Sequence, residues 1–220
     1  MKKTKIFIAC DTTNLVKVKK IINQSKTNKI KIGYKFGLEF MNSKNGRTFL
    51  AKLRKKIIFV DLKLNDTVNT MLSAVKALKD IKINYLTVHI SSGLAALKAV
   101  KKISGSTRIV GVTTLTSLNN NDLKLIGYNK SVKNLVAHQA KLAKKANLDA
   151  LVCSPYEVSA VRKIFKKEII TPGVQIGKKN YDQKRSMEAK KVNSDWLVIG
   201  RAITRGNIKK NIQNLSKELK

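Results

Sequence analysis

The chain of 220 residues carries 46 Lys and Arg against 13 Asp and Glu, a formal charge of +33, and 43% of it is hydrophobic. That apolar share supports a sizeable core and excludes disorder as a whole-chain class, while the charge points to anionic partners: nucleic acid, an anionic membrane or phosphorylated metabolites. Only seven of the 46 basic residues are Arg, aromatic residues make up 5%, and the lysines run along the whole chain. This reads as compositional drift toward Lys, Asn and Ile, not as the Arg and aromatic patterning of a nucleic-acid surface.

Eight short apolar runs rich in Ile, Val, Phe or Tyr recur at 6–10, 30–34, 57–62, 85–90, 108–113, 150–153, 169–172 and 196–200, as buried strands do. The first ends at Asp11, too early for the h-region of a signal peptide, and no apolar stretch approaches a membrane span; the expected location is the cytoplasm. Asp11 shares a strand face with Phe7 and Ala9. In the second run Lys31 and Gly33 share a face, and with Ile30 and Ile32 turned outward Lys31 points inward. The third run leads into Asp61-Leu62-Lys63-Leu64-Asn65-Asp66. Residues 61 and 63 lie on one side of a strand, and a buried Asp/Lys pair has no structural need in so apolar a strand, so it points to chemistry. Asp66 reads equally as a functional carboxylate or as the N-cap of a helix over 67–79. The fourth run closes on His89, read as a hydrogen-bonded structural residue, and is followed by helical periodicity over 93–102.

After the fifth run come Thr116 and Ser117, then a helix over 132–146 carrying His138, which bears no message. Cys153 in the sixth run, like Cys10 in the first, reads as a buried thiol; without a CxxC or a Cys/His cluster a structural zinc site is not expected. A helix over 156–165 precedes the seventh run, which ends in Thr171-Pro172-Gly173. The eighth begins at Trp196, a packing residue, and ends in Gly200-Arg201 before a helix over 208–219. Eight strands alternating with helices predict a parallel (β/α)₈ barrel, one domain over 1–220 with no linker. Polar residues at the strand ends then gather at one face, and the ends of strands seven and eight suit a phosphate, with Arg201 as a planar donor fork. The Asp and Lys residues form an alternating charge network suited to proton chemistry.

Asp61-Leu62-Lys63-Leu64-Asn65-Asp66-Thr67-Val68-Asn69-Thr70 resembles the DxKxxDIPNT signature of the orotidine 5′-phosphate decarboxylase family. In order along the chain, Ala9-Cys10-Asp11 resembles the family's ALD, Lys31-Ile32-Gly33 its KxG, and Val88 to Gly93 its VHxxxG. Leu115-Thr116-Ser117 resembles LTS, Thr171-Pro172-Gly173-Val174 TPGI, Asp182-Gln183-Lys184-Arg185 DQRR, and Ile199-Gly200-Arg201 IGR. The resemblance implies decarboxylation of orotidine 5′-phosphate to UMP, the last step of de novo pyrimidine nucleotide synthesis, with neither metal nor cofactor. Lys63 is then the proton donor to C6. Asp61 sits by the substrate carboxylate and holds Lys63. Lys31 orients Asp61 and contacts the ribose. Asp66 and Thr70 reach the site of the other subunit of a homodimer. Asp11 binds ribose hydroxyls, Thr116 and Ser117 the pyrimidine, and Pro172, Gln175, Gln183, Gly200 and Arg201 line the ring and phosphate site. No membrane and no specific nucleic acid is implied as a partner.

Three departures accompany the resemblance. Thr67-Val68 replaces Ile-Pro, Gln175 stands where the family has Arg, and the segment from Gln175 to Tyr181 is about one residue short, a change loops tolerate. Lys178 and Lys179 are candidates to compensate for the missing Arg. The alternatives are a magnesium-dependent sugar-phosphate decarboxylase or aldolase on the same barrel, whose members carry Glu where this reading has Lys31, and a non-catalytic basic nucleic-acid-binding protein, which leaves the strand-end Asp and Lys unexplained.

Overall fold

The computed structural model describes residues 5–175 and 187–219. Eight parallel strands close into a barrel: β1 (Lys5–Ala9), β2 (Lys31–Gly37), β3 (Ile57–Leu64), β4 (Tyr85–His89), β5 (Arg108–Val112), β6 (Ala150–Val152), β7 (Glu168–Thr171) and β8 (Trp196–Ile199), with β8 pairing β1 to complete the ring. All eight predicted runs form barrel strands. The notable difference is β2, which continues to Gly37, beyond the predicted end at Tyr34.

Helices wrap the outside: α1 (Leu15–Gln24), α2 (Leu38–Met41), α3 (Gly46–Lys52), α4 (Val68–Ala77), α5 (Leu94–Ile103), α6 (Asn120–Leu125), α7 (Val132–Lys145), α8 (Val158–Ile164), α9 (Arg201–Thr204) and α10 (Ile208–Glu218). The five predicted helices are all present. The sequence reading did not single out α1, although Val18, Ile21 and Ile22 face the core at helical spacing and the Asn14 side chain caps it by accepting from Lys17 N–H. Two-residue strands Val174–Gln175 and Met187–Glu188 pair beside the barrel.

The period of two sorts each strand into an outward face packed on helices and an inward face filling the barrel. The inward set Phe7, Phe59, Tyr85, Val110, Ala150, Ile170 and Trp196 forms a closed core, with Trp196 stacked on Phe7 at 4.1 Å between ring centroids. Each buried Phe, Val or Ile among them contributes about 1.5–3 kcal/mol. Gly33 is required here: a Cβ on it would lie 2.6 Å from the Phe7 ring. Below this layer, at the N-terminal ends of the strands, Glu168 accepts hydrogen bonds from Lys5 (2.8 Å), Tyr85 (2.9 Å), Arg108 (2.7 Å) and Trp196 (3.3 Å). Burial pushes the Glu168 carboxyl up, but the donors Lys5 and Tyr85 outweigh it and hold the group below its ordinary value. The lower mouth is thus plugged, and the opposite end is left for a site.

Candidate active site

A cavity of about 460 Å³ opens at the C-terminal ends of the strands. Its lining includes Asp11 after β1, Lys35 on β2, Asp61 and Lys63 on β3, Thr114 and Thr116 after β5, Pro172 after β7 and Gly200 and Arg201 after β8. Residues up to 190 positions apart meet there because every parallel strand delivers its end to the same face.

The floor is an alternating row of charges. Lys35 Nζ donates to Asp11 Oδ1 at 2.9 Å and lies 3.5 Å from Asp61 Oδ2. Lys63 Nζ donates to the same Asp61 oxygen at 2.9 Å. The side chains of Lys35 and Asp61 are only 12% and 14% exposed, whereas Asp11 is 53% exposed. Burial by itself would raise the Asp61 carboxyl, but the ammonium groups of Lys35 and Lys63, aided by hydrogen bonds from Lys63 and Thr87, hold it below the ordinary carboxylate value. Burial likewise opposes the charge on Lys35, and the carboxylates of Asp61 and Asp11 more than restore it, leaving its pKa above the usual lysine value. Asp61 is therefore an anion and Lys35 a cation at neutral pH, both largely shielded from bulk solvent.

This geometry corrects the expectation for Lys31. Its inward parity holds, but it sits at the wrong end. Lys31 pairs in register with Lys5 at the lower mouth, and Lys35 pairs with Ala9 at the upper one; Lys31 is exposed. The pattern Lys-x-Gly occurs twice on β2, four residues apart, so both copies face inward and only the strand's end distinguishes them. The lysine that stands beside Asp11 and Asp61 belongs to Lys35-Phe36-Gly37.

Asp66 is exposed and its Oδ1 accepts from Thr67 N–H at 2.6 Å. The N-cap position of α4 is Thr67, not Asp66. Neither Asp66 nor Thr70 lines the cavity; Thr70, also exposed, shares a hydrogen bond of 3.0 Å with Thr67. Ser117 is exposed in the turn after β5 and does not line the cavity, unlike Thr116 beside it. Gln183, Lys178 and Lys179 lie outside the described residues, and Gln175 is described only by its backbone, in the short strand that follows Gly173.

His89 is hydrogen-bonded, as expected, its Nδ1 lying 2.7 Å from Ser91 Oγ. Burial first, and the charge on Lys63 second, lower its pKa, so the ring is neutral at pH 7. Cys10 and Cys153 are buried thiols; burial, reinforced by Asp11, pushes Cys10 up to about 12, which makes it inert as a nucleophile. Among the described residues no group of three or more His, Cys, Asp or Glu is placed to hold a metal ion, and no helix is long and apolar enough to cross a membrane.

Besides Lys35, sequence reading missed two residues. Thr87 is fully buried and bridges Lys63 and Asp61. Thr114, also buried, is held in the cavity wall by Gln139 of α7, whose Oε1 accepts from its N–H at 2.8 Å and its hydroxyl at 3.1 Å. A signal for Thr87 was present: it is the polar residue between Tyr85 and His89 on the inward parity of an apolar strand.

A model of the Orotidine 5'-phosphate decarboxylase / HUMPS family matches residues 4–211. Similar proteins include the orotidine 5'-phosphate decarboxylases of Wolbachia sp. subsp. Brugia malayi, 39% identical with 92% of each chain covered, and of Wolbachia pipientis subsp. Culex pipiens, 40% identical with 90% of this chain and 91% of the other covered. Among solved structures, the orotidine 5'-phosphate decarboxylase of Lactobacillus acidophilus superimposes with a TM-score of 0.84 at 27% identity, covering 99% of both chains.

Proposed function

The chain belongs to the orotidine 5′-phosphate decarboxylase / HUMPS family and is a carboxy-lyase that converts orotidine 5′-phosphate to UMP in pyrimidine biosynthesis; we propose that the Asp11, Lys35, Asp61 and Lys63 row carries the reaction. The observation that supports this is the single Asp61 oxygen shared between two ammonium groups, 2.9 Å from Lys63 and 3.5 Å from Lys35. The anion of Asp61 beside the substrate carboxylate raises the energy of the ground state and is relieved as CO₂ departs. The C–C bond breaks, its electron pair stays on C6, and Lys63 stabilises that charge and then transfers a proton to it. Solvent returns the proton to Lys63. Lys35 holds Asp11 and Asp61 in place, and Asp11 faces the ribose hydroxyls. Arg201 supplies a guanidinium fork to the phosphate, with Gly200 giving close backbone approach and Gln175 and Gln183 completing the phosphate side. Thr116 and Pro172 face the pyrimidine. Phosphate binding remote from the reacting carbon fixes the ring for the chemistry.

Asp66 and Thr70, exposed and outside the cavity of their own protomer, serve the site of the partner in a homodimer. The exposed apolar Leu38 and Val68, 53% and 37% accessible, then lie at that interface. The barrel is proposed to act in the cytoplasm, without metal or cofactor. Lys35 also favours this reading over magnesium-dependent chemistry on the same barrel, because its ammonium occupies the space between Asp11 and Asp61 whose oxygens a divalent ion would need. The test is decarboxylation of orotidine 5′-phosphate followed by ultraviolet absorbance, with and without EDTA, beside Lys63→Ala. Turnover that survives EDTA and disappears in the variant is expected; turnover that requires magnesium would overturn the mechanism.

A further inference from the structure

The pairing of β3 with β4 slips at the site. Val60 pairs Leu86, and the next pair is Leu64 with Val88, so Asp61, Leu62 and Lys63 all stand opposite the single residue Thr87. Such a bulge re-aims side chains and removes ladder hydrogen bonds. Within it Lys63 takes a φ of +50°, the left-handed region that L-residues occupy only when their surroundings hold them there. The one hydroxyl opposite supplies what the ladder lost: Thr87 Oγ1 accepts from Lys63 N–H at 2.8 Å. With that lone pair committed, its own hydrogen is directed at Asp61 Oδ1, 3.1 Å away. Thr87 is fully buried, so no water substitutes for either bond.

We propose that Thr87 is a positioning residue for decarboxylation, one hydroxyl that sets the backbone of the proton donor and the carboxylate of its partner together. It does not line the cavity, so it acts through Lys63 and Asp61 without touching the ligand. This rests on the assignment of Lys63 as proton donor. The bulge lets Lys63 reach over Asp61 toward the substrate, and Thr87 holds the bulge in one shape. Remote binding of the ribose and phosphate does not depend on it, so its loss falls on the chemical step.

The experiment compares Thr87→Val, which keeps the shape and removes the hydroxyl, with Thr87→Ser, which keeps the hydroxyl. The readouts are kcat and KM for orotidine 5′-phosphate, Kd for UMP, and melting temperature, with wild type and Lys63→Ala alongside. T87V is expected to lower kcat about 10- to 100-fold, equivalent to about 1.4–2.7 kcal/mol at 1.36 kcal/mol per decade. KM and the UMP Kd should stay within about threefold of wild type, and T87S should recover kcat to within about threefold. Should T87V melt below the assay temperature, Thr87→Ala against T87S carries the same comparison. A hydroxyl-free variant with wild-type kcat, a loss seen equally in T87S, or a loss confined to KM would each overturn the positioning role. A wild type that turns over independently of Lys63 would overturn the donor assignment, and this role with it.

Discussion

Replacing Lys35 by Met removes a charge while keeping most of the side-chain volume, and so isolates the electrostatic part of the row. In wild type two ammonium groups face two carboxylates; in the variant Asp61 keeps Lys63, 2.9 Å away, while Asp11 loses its Lys35 partner. Asp61 keeps a cation and Asp11 is 53% exposed, so neither carboxylate is left both buried and unpaired, and stability should fall by about 0.5–3 kcal/mol. The site suffers more. Loss of one preorganised, largely buried charge costs about 2.7–4 kcal/mol of transition-state stabilisation, a fall of roughly 10²–10³ in kcat/KM. The pH profile should move as well. The Lys35 charge is the strongest influence holding the Asp61 carboxyl below its ordinary value, so without it that pKa rises and the acidic limb shifts to higher pH. Lys31→Met is the control: Lys31 is exposed and level with Lys5 at the plugged end, and its loss should change kcat/KM by less than about twofold. Steady-state kinetics of both variants from acidic to mildly alkaline pH decide the matter. A large loss in K31M with near-normal K35M would refute the assignment of the site lysine.

Glu168→Gln should leave Lys5 and Arg108 without their carboxylate at the lower mouth, costing about 3 kcal/mol, or roughly 6–12 °C of melting temperature for a chain of this size, with kcat of the folded enzyme unchanged. Because the native Glu168 pKa lies below its unfolded value, its contribution is complete above the unfolded carboxylate pKa and disappears as pH falls through the folded one. The acid unfolding transition of the variant should therefore be shallower than that of wild type; an equally steep one would discount the plug. Gly33→Ala should lower the melting temperature by several degrees, about 1–3 kcal/mol of overpacking, since the new Cβ meets the buried Phe7 ring at 2.6 Å; an unchanged melt in calorimetry would contradict that packing. The +33 charge should make the fold salt-sensitive in the stabilising direction, the melting temperature rising from low ionic strength to about 0.15 M as self-repulsion is screened. A steady fall over that range would count against it.

The barrel was legible because its signals are local. Runs such as 57–62 and 108–113 are apolar and β-branched, and the segments between them carry helical periodicity, so element type and order follow from neighbouring residues alone. The Asp61/Lys63 pair was legible for the same reason: two charges in an apolar strand have no other ready explanation. Lys31 shows where such reading stops. Alternation tells which face of β2 a residue occupies, but Lys31 and Lys35 share that face, and the level each reaches depends on register with β1, a long-range pairing that no local pattern encodes.

The sequence by itself determined that this chain is an alternating β/α barrel with its chemistry at the strand ends, since hydrophobic periodicity and strand-end residue types are properties of short segments. Only the tertiary structure decided that Lys35 and not Lys31 joins Asp61, that the β3 bulge turns Lys63 through a left-handed backbone, and that Thr87 from the neighbouring strand ties the two together. Each of these depends on which residue of one strand stands opposite which residue of the next, and that is settled by closing the whole barrel.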